Sequence, residues 1–199
     1  MKAANVFGKF ISYNLNDLEI LLIEKRSSYK SILKSTLEEL GASGLISMID
    51  FSEAALFMKQ SIPDIIISDW SDDLEALEFL EWVRKGPSSP DHFIPFIIMS
   101  NFCSIREVKQ ARDSGTDEFL ARPFSARSLY DRICKIIRVR QVYVRSANYF
   151  GPDRRKLVFE RYNKIEKRKI PSFGETENSI MDGAGTPVLC QGELDVLLG

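Results

Sequence analysis

Five short apolar runs, separated by segments with helical spacing, constrain this chain most. The runs are rich in Ile, Leu and Phe, and four of them show little alternation between apolar and polar residues, as strands do when both faces of a parallel sheet are covered. The segments between them place apolar residues on one helical stripe. We therefore predict an α/β fold with a doubly wound sheet of five parallel strands. The predicted strands span 19–23, 45–49, 64–68, 95–99 and 117–120, and the predicted helices span 29–40, 52–60, 73–85, 104–114 and the segment after Ser125.

Local signals mark the ends of several of these helices. Ser104 and Glu107 form an S-x-x-E capping box at the start of the fourth helix, and Gly115 ends it. Ser125 is the predicted N-cap of the last helix.

Charge and apolar pattern together divide the chain into four parts. The length of 199 residues suits one compact domain with extensions. We predict an N-terminal extension over 1–17, an α/β domain over 18–140, a basic and aromatic extension over 141–170 and a flexible acidic tail over 171–199. The formal net charge of −1 conceals this division, because 138–169 carries 11 basic and 3 acidic residues.

Several classes of function find no support in the residues. The common nucleotide-binding and metalloprotease fingerprints are absent, three distant cysteines form no metal-ligand pair, and the single histidine, His92, lies in a Pro- and Ser-rich loop. We expect no enzymatic activity of its own.

No apolar run is long enough to cross a bilayer and no signal peptide is evident, so we expect a cytoplasmic protein. The basic stretch is too short for a helix-turn-helix domain, so we expect no DNA binding.

Polar residues follow the predicted strands at the edge where ligands bind in such sheets. In doubly wound sheets that edge lies beyond the carboxyl ends of the strands. Glu24 and Lys25 follow the first strand, Asp69 the third, Ser100 the fourth and Arg122 the fifth.

Residues 18–138 resemble the receiver domain of two-component response regulators. The resemblance rests on PDIIISDW, which ends near Asp69, and on the pattern AxxxGxxxFLxxPF from Ala111 to Phe124. It implies that Asp69 is a phospho-acceptor for a kinase histidine, that Glu24 and Asp69 hold Mg²⁺, and that Phe119 is the switch aromatic. Histidine kinases, phosphotransfer proteins and other signalling proteins are the implied partners.

Two departures from the family affect the phosphate pocket, which the resemblance assigns to Ser100, Arg122 and Lys25. Arg122 replaces the family's Lys, and Lys25 replaces an acid that helps to hold the metal. An ammonium cannot ligate Mg²⁺. We expect Lys25 to pair with Asp69 and Glu24 in the metal's place, so that Mg²⁺ binding is weakened or lost.

The extension alternates arginines with aromatic residues. We predict that Arg145, Arg154, Arg155 and Arg161 bind an anionic partner, which could be an acidic protein surface, a cyclic dinucleotide or RNA. The alternative is that the aromatic residues pack back on the acidic domain, with the arginines solvated or paired to it.

Three functions remain open at this point. The leading hypothesis is a stand-alone receiver-like signalling protein that acts by binding proteins, with Mg²⁺-dependent phosphorylation impaired. The first alternative is a competent phospho-acceptor that uses Asp69 in a phosphorelay. The second is a cyclic-dinucleotide-binding effector that uses the Arg-rich extension.

Overall fold

The computed structural model describes residues 13–71, 75–101, 104–138 and 141–154. Five parallel strands form one sheet in the order β2-β1-β3-β4-β5, which confirms the predicted doubly wound fold. Each predicted element lies within two residues of its expected bounds. The strands are β1 (Glu19–Ile23), β2 (Gly44–Met48), β3 (Ile65–Trp70), β4 (Phe96–Ser100) and β5 (Glu118–Ala121), and the helices are α1 (Ser27–Glu39), α2 (Phe51–Met58), α3 (Glu75–Lys85), α4 (Ile105–Asp113) and α5 (Ala126–Arg138).

Helices cover both faces of the sheet, which explains why the central strands are apolar along their whole length. Side chains of α1 and α5 pack with one set of strand residues into one core, and side chains of α2, α3 and α4 pack with the alternate set into a second core. No helix within the described ranges is long and apolar enough to cross a membrane.

The predicted helix ends are confirmed. The Ser104 hydroxyl accepts from the Glu107 backbone N–H at 3.4 Å, and the Glu107 carboxylate accepts from the Ser104 N–H at 3.0 Å. Ser125 accepts from the N–H of Ser128 at 3.1 Å. Gly115 follows α4 with a φ of +95°, a conformation that favours glycine.

A short hairpin continues the chain after α5, where the sequence predicted no regular structure. Strands β6 (Tyr143–Arg145) and β7 (Phe150–Pro152) pair in antiparallel orientation. The hairpin approaches the loop before β5 so closely that a Cβ on Gly115 would clash with the Phe150 carbonyl oxygen. Phe150 is buried, and the Tyr143 hydroxyl donates to Asp117 at 2.6 Å. The aromatic residues of this part of the extension therefore pack back on the domain.

A buried arginine at the end of α3 holds the same region together. Arg84 has a fully buried side chain and donates to Asp117 at 2.7 Å. Its remaining donors reach the backbone carbonyls of Gly115, His92 and Ile94 at 3.0, 2.9 and 2.8 Å. This one side chain links α3 to the segments that precede β4 and β5.

Candidate functional site

The predicted site residues gather at the carboxyl ends of β1, β3 and β5. Glu24 directly follows β1, Asp69 lies near the end of β3, and Arg122 directly follows β5. The strand order reverses between β1 and β3, which is where a ligand site is expected in this type of sheet. Asp69 and Glu24 are both buried.

Two arginines pair with the two carboxylates. Arg122 donates to Glu24 at 2.6 Å with one nitrogen and to Asp69 with the other. Arg26 donates to the same acids, at 3.1 Å to Glu24 and at 2.9 Å to Asp69. We call Glu24, Arg26, Asp69 and Arg122 the arginine–carboxylate cluster. Its formal charges sum to zero.

Alternation along β1 explains why Arg26 enters the cluster. Even-numbered side chains of β1 pack toward α1 and α5, and odd-numbered ones toward α2, α3 and α4. The backbone is still extended at Arg26, with φ −83° and ψ 112°. Glu24 and Arg26 therefore project to one side and Lys25 to the other. The Glu24 carboxylate also accepts from the Arg26 backbone N–H at 3.0 Å, which fixes the turn into α1.

The expectation that Lys25 pairs with Asp69 and Glu24 is wrong. Its ammonium instead donates to Glu75 in α3 at 2.6 Å and lies 5.8 Å from the centre of the Phe51 ring. Because Lys25 projects to the side of α2 and α3, Arg26 takes the position beside the acids. Lys25 still lines a small depression that also contains Asp69 and Ser71.

Tyr29 supports both guanidinium groups from α1. The guanidinium carbons of Arg26 and Arg122 lie 4.4 and 4.9 Å from the centre of its ring. Guanidinium groups stack favourably on aromatic faces. Arg26 follows the first predicted strand but had no predicted role, and neither Tyr29 nor Ser71 was among the predicted site residues. The two-residue spacing from Glu24 to Arg26 was the signal that could have identified Arg26.

Burial and ion pairing affect the two acids differently. Burial acts to raise the pKa of Glu24, but hydrogen bonds from Arg26 and Arg122 outweigh it and the pKa is lowered. For Asp69, burial is the largest influence and raises the pKa, against the hydrogen bond from Ser71 and the charge of Arg122. The Ser71 hydroxyl donates to the second Asp69 oxygen at 2.7 Å. Both oxygens of Asp69 thus accept hydrogen bonds.

The other predicted pocket residues lie at the same edge. The Ser100 hydroxyl donates to the Trp70 backbone carbonyl at 2.8 Å, so it bridges β4 and β3. Phe119 is fully buried in β5, and its ring meets that of Trp70 edge-on at 6.5 Å between centres. The predicted switch aromatic therefore occupies the core, in contact with the residue that follows Asp69.

The two carboxylates described at this edge are already paired with cations. Mg²⁺ needs several hard oxygen ligands in near-octahedral order. Glu24 and Asp69 are both engaged by guanidinium groups, and within the described ranges no group of three His, Cys, Asp or Glu side chains could hold a metal.

The arginines predicted to bind an anion are only partly described. Arg154 donates to the Thr116 carbonyl at 2.5 Å, beside the hairpin. Arg145 is exposed, and its guanidinium lies 5.7 Å from the centre of the Phe150 ring. Arg155, Arg161 and the predicted tail over 171–199 lie outside the described residues, as does most of the predicted extension over 1–17.

Known proteins resemble the chain in both sequence and fold. Chemotaxis protein CheY-3 of Vibrio cholerae is 21% identical over 121 residues, which are 60% of this chain and 92% of that protein. The receiver domain of a signal transduction histidine kinase from Syntrophus aciditrophicus is 25% identical with a TM-score of 0.54, over 65% of this chain and 98% of that one. A sensor histidine kinase receiver domain from Pseudomonas aeruginosa, with a magnesium ion coordinated in its active-site cleft, is 20% identical with a TM-score of 0.54, over 61% and 98% of the two chains. No protein-family model matches the sequence.

Proposed function

We propose that this chain, which contains a CheY-like receiver domain, is a signal transduction protein that works through protein–protein interaction and in which Mg²⁺-dependent phosphorylation of Asp69 is impaired. The observation that carries the proposal is the pairing of Asp69 and Glu24 with Arg26 and Arg122. The cluster has no net charge, so it lacks the excess negative charge that attracts a divalent cation.

The pairing opposes metal binding on energetic grounds. A metal ion must displace guanidinium groups from buried carboxylates before it gains its own ligands. Arg122 is held on both acids at once and its side chain is only 6% exposed, so it cannot turn into solvent without leaving a cavity. Breaking a buried ion pair typically costs about 3–5 kcal/mol.

The pairing also opposes attack by Asp69 on a phosphoryl group. A carboxylate nucleophile needs an oxygen with an available lone pair pointed at the phosphorus. One oxygen of Asp69 accepts from Arg26 and Arg122, and the other accepts from Ser71. The oxygen bound by Ser71 keeps a second lone pair, but the charge of the carboxylate is shared with two guanidinium groups, which makes Asp69 a weaker nucleophile.

The partners that we propose are histidine kinases, phosphotransfer proteins or other signalling proteins. Proteins similar to this chain include a chemotaxis protein and a kinase receiver domain. A partner that binds the domain as it stands needs no phosphoryl group. The arginine–carboxylate cluster then holds the surface at this edge in one conformation for that partner.

The test uses fluorescence from Trp70, the residue next to Asp69. The chain has two tryptophans, and replacing Trp82 by Phe leaves Trp70 as the only reporter. We expect no saturable change on titration with millimolar Mg²⁺ and beryllium fluoride, a mimic of the phosphoryl group. The matched variant adds Lys25→Asp and Arg122→Lys, which restore the residue types of the family, and Arg26→Ala, which removes the second guanidinium group from Asp69. This variant should respond.

A saturable response of the chain without those three changes contradicts the proposal. It would favour the competent phospho-acceptor at Asp69. Incubation with a small phosphodonor, followed by mass measurement for one added phosphoryl group and its loss in Asp69→Asn, then decides between the two functions.

A further inference from the structure

An open groove of about 390 Å³ runs between α2 and α3. Its floor is aromatic: the Phe51 and Phe79 rings lie 5.2 Å apart and the Phe79 and Trp82 rings 5.5 Å apart. Its walls are acidic, with the exposed carboxylate of Asp50 at the start of α2 and those of Glu75 and Glu78 along α3. We call this the acidic–aromatic groove. It lies on the opposite side of the sheet from the helices α1 and α5.

The groove has the chemistry of a site for basic side chains with apolar neighbours. Carboxylates pair with ammonium and guanidinium groups, and aromatic faces attract the same cations while burying alkyl stems. Lys25 shows this pairing at one end of the groove, where its ammonium lies 2.6 Å from Glu75 and 5.8 Å from the Phe51 ring centre. The remaining length of the groove offers Glu78 and Trp82 for a further cation.

The chain itself carries a segment of matching composition. Residues 155–169, RKLVFERYNKIEKRK, contain seven Lys and Arg, two Glu and five aliphatic or aromatic residues. The basic residues of the segment are attracted to the acidic walls of the groove and fix its position along them, while its apolar residues suit the aromatic floor.

The segment starts close enough to reach the groove. It begins directly after Arg154, in the stretch that docks beside the hairpin. The hairpin turn touches the end of α3, where Lys85 donates to the Asn148 carbonyl at 3.3 Å. Trp82 lies only three residues before Lys85, roughly 5 Å along the helix. Fifteen extended residues span up to about 50 Å, so chain length does not prevent binding.

We propose that the acidic–aromatic groove binds residues 155–169 of the same chain. The anionic surface that the basic extension recognises is then this groove, and a partner that binds either the groove or the segment competes with this contact. The proposal is independent of whether Asp69 is phosphorylated.

The test is zero-length carbodiimide cross-linking of the full chain, which joins lysines to carboxylates in contact. Peptides from the monomer fraction are identified by mass spectrometry. We expect Glu75 or Glu78 to be joined to Lys156, Lys164, Lys167 or Lys169 in several-fold higher yield than Glu38 is. Glu38 on α1 is a matched control, because its side chain is 52% exposed against 53% for Glu75.

A charge-reversed chain with Lys164, Lys167 and Arg168 replaced by Glu supplies the second measurement. With Trp70→Phe, Trp82 is the only tryptophan and reports on the groove. We expect the Trp82 emission to differ between the parent and the charge-reversed chain at low salt and to converge at high salt, because screening weakens exposed ion pairs.

Equal yields at Glu38 and Glu78, with Trp82 emission unchanged by charge reversal, overturn the proposal. Mixing isotopically labelled and unlabelled chains separates the remaining case. For this mixture the whole cross-linked sample is analysed. Cross-links that join labelled to unlabelled chains as often as random pairing of the copies gives assign the groove to a second copy and also overturn binding within one chain.

Discussion

Two arginine–carboxylate groups lie at opposite ends of the sheet, and they differ in how completely they are enclosed. At the amino ends of β4 and β5, Arg84 and Asp117 have side chains that are 0% and 2% exposed. At the carboxyl ends, the arginine–carboxylate cluster contains Arg26, whose side chain is 36% exposed. The first group contains one arginine and one acid, and the second contains two arginines and two acids.

Because of this difference, we call the Arg84–Asp117 pair the anchor, while the arginine–carboxylate cluster is the candidate site. Arg84 donates hydrogen bonds to three backbone carbonyls and to Asp117, and Asp117 also accepts from the Tyr143 hydroxyl. These contacts join α3, two loops and the hairpin. Cluster arginines bind side chains of strand ends and stack on the exposed Tyr29. The cluster can therefore change partners with less disturbance to the fold than the anchor can.

Removal of the anchor's acid should have the largest effect. Asp117→Ala leaves Arg84 charged and buried without a counter-charge, and we expect a loss of about 3–5 kcal/mol in the free energy of unfolding. Denaturant unfolding measures this loss. Asp113→Ala is the control, because its pair with Arg112 is exposed and worth about 0–1 kcal/mol. Equal losses in the two variants would contradict the assignment of Arg84 and Asp117 as an anchor.

Removal of the cluster's central acid should cost less. Asp69→Ala leaves Arg26 and Arg122 with Glu24 as their shared acid, and we expect a loss of up to about 3 kcal/mol, reduced because Arg26 reaches solvent. In double-mutant cycles, Arg122→Met should couple to Asp69→Ala, whereas Lys25→Met should add to it within about 0.5 kcal/mol. Strong coupling to Lys25 would show that Lys25, and not Arg26, accompanies Asp69.

Alkaline pH should sharpen the comparison, because only the anchor contains a tyrosine hydroxyl bound to a buried acid. Burial and the charge of Asp117 raise the pKa of Tyr143. A pKa that folding raises contributes stability that is fully present below the unfolded value, about 10, and is lost as the pH rises above it.

We therefore expect the free energy of unfolding to fall between about pH 9 and pH 11, and to fall less in Tyr143→Phe. Burial also raises the pKa of Tyr149, which accounts for part of the remaining fall. Denaturant unfolding at the two pH values gives the measurement. An unchanged pH dependence in Tyr143→Phe would rule out the proposed contribution of this hydroxyl.

Local sequence was sufficient to predict the elements of the domain. Strand β3 is buried along its whole length, and its Ile-rich sequence carries that information without any tertiary contact. The capping box at Ser104 is likewise a contact between residues three positions apart. Parallel strands end at one edge of the sheet, so the topology also predicted that Glu24, Asp69 and Arg122 would meet.

Contacts between distant segments decided the rest, and sequence spacing does not encode them. Whether Lys25 or Arg26 joined Asp69 depended on which side of β1 each side chain faced, and on Glu75 and Phe51 being available to Lys25. The sheet and α3 bring Asp117 and Arg84 together in a buried ion pair. The Tyr143 hydroxyl of the hairpin donates to the same carboxylate from 26 residues further along the chain, and this contact holds the hairpin on the domain. The sequence by itself determined the periodic elements and the edge where the acids gather, because these follow from local apolar patterns. Only the tertiary structure decided which cation neutralises each acid, because that depends on geometry between strands and helices far apart in the chain.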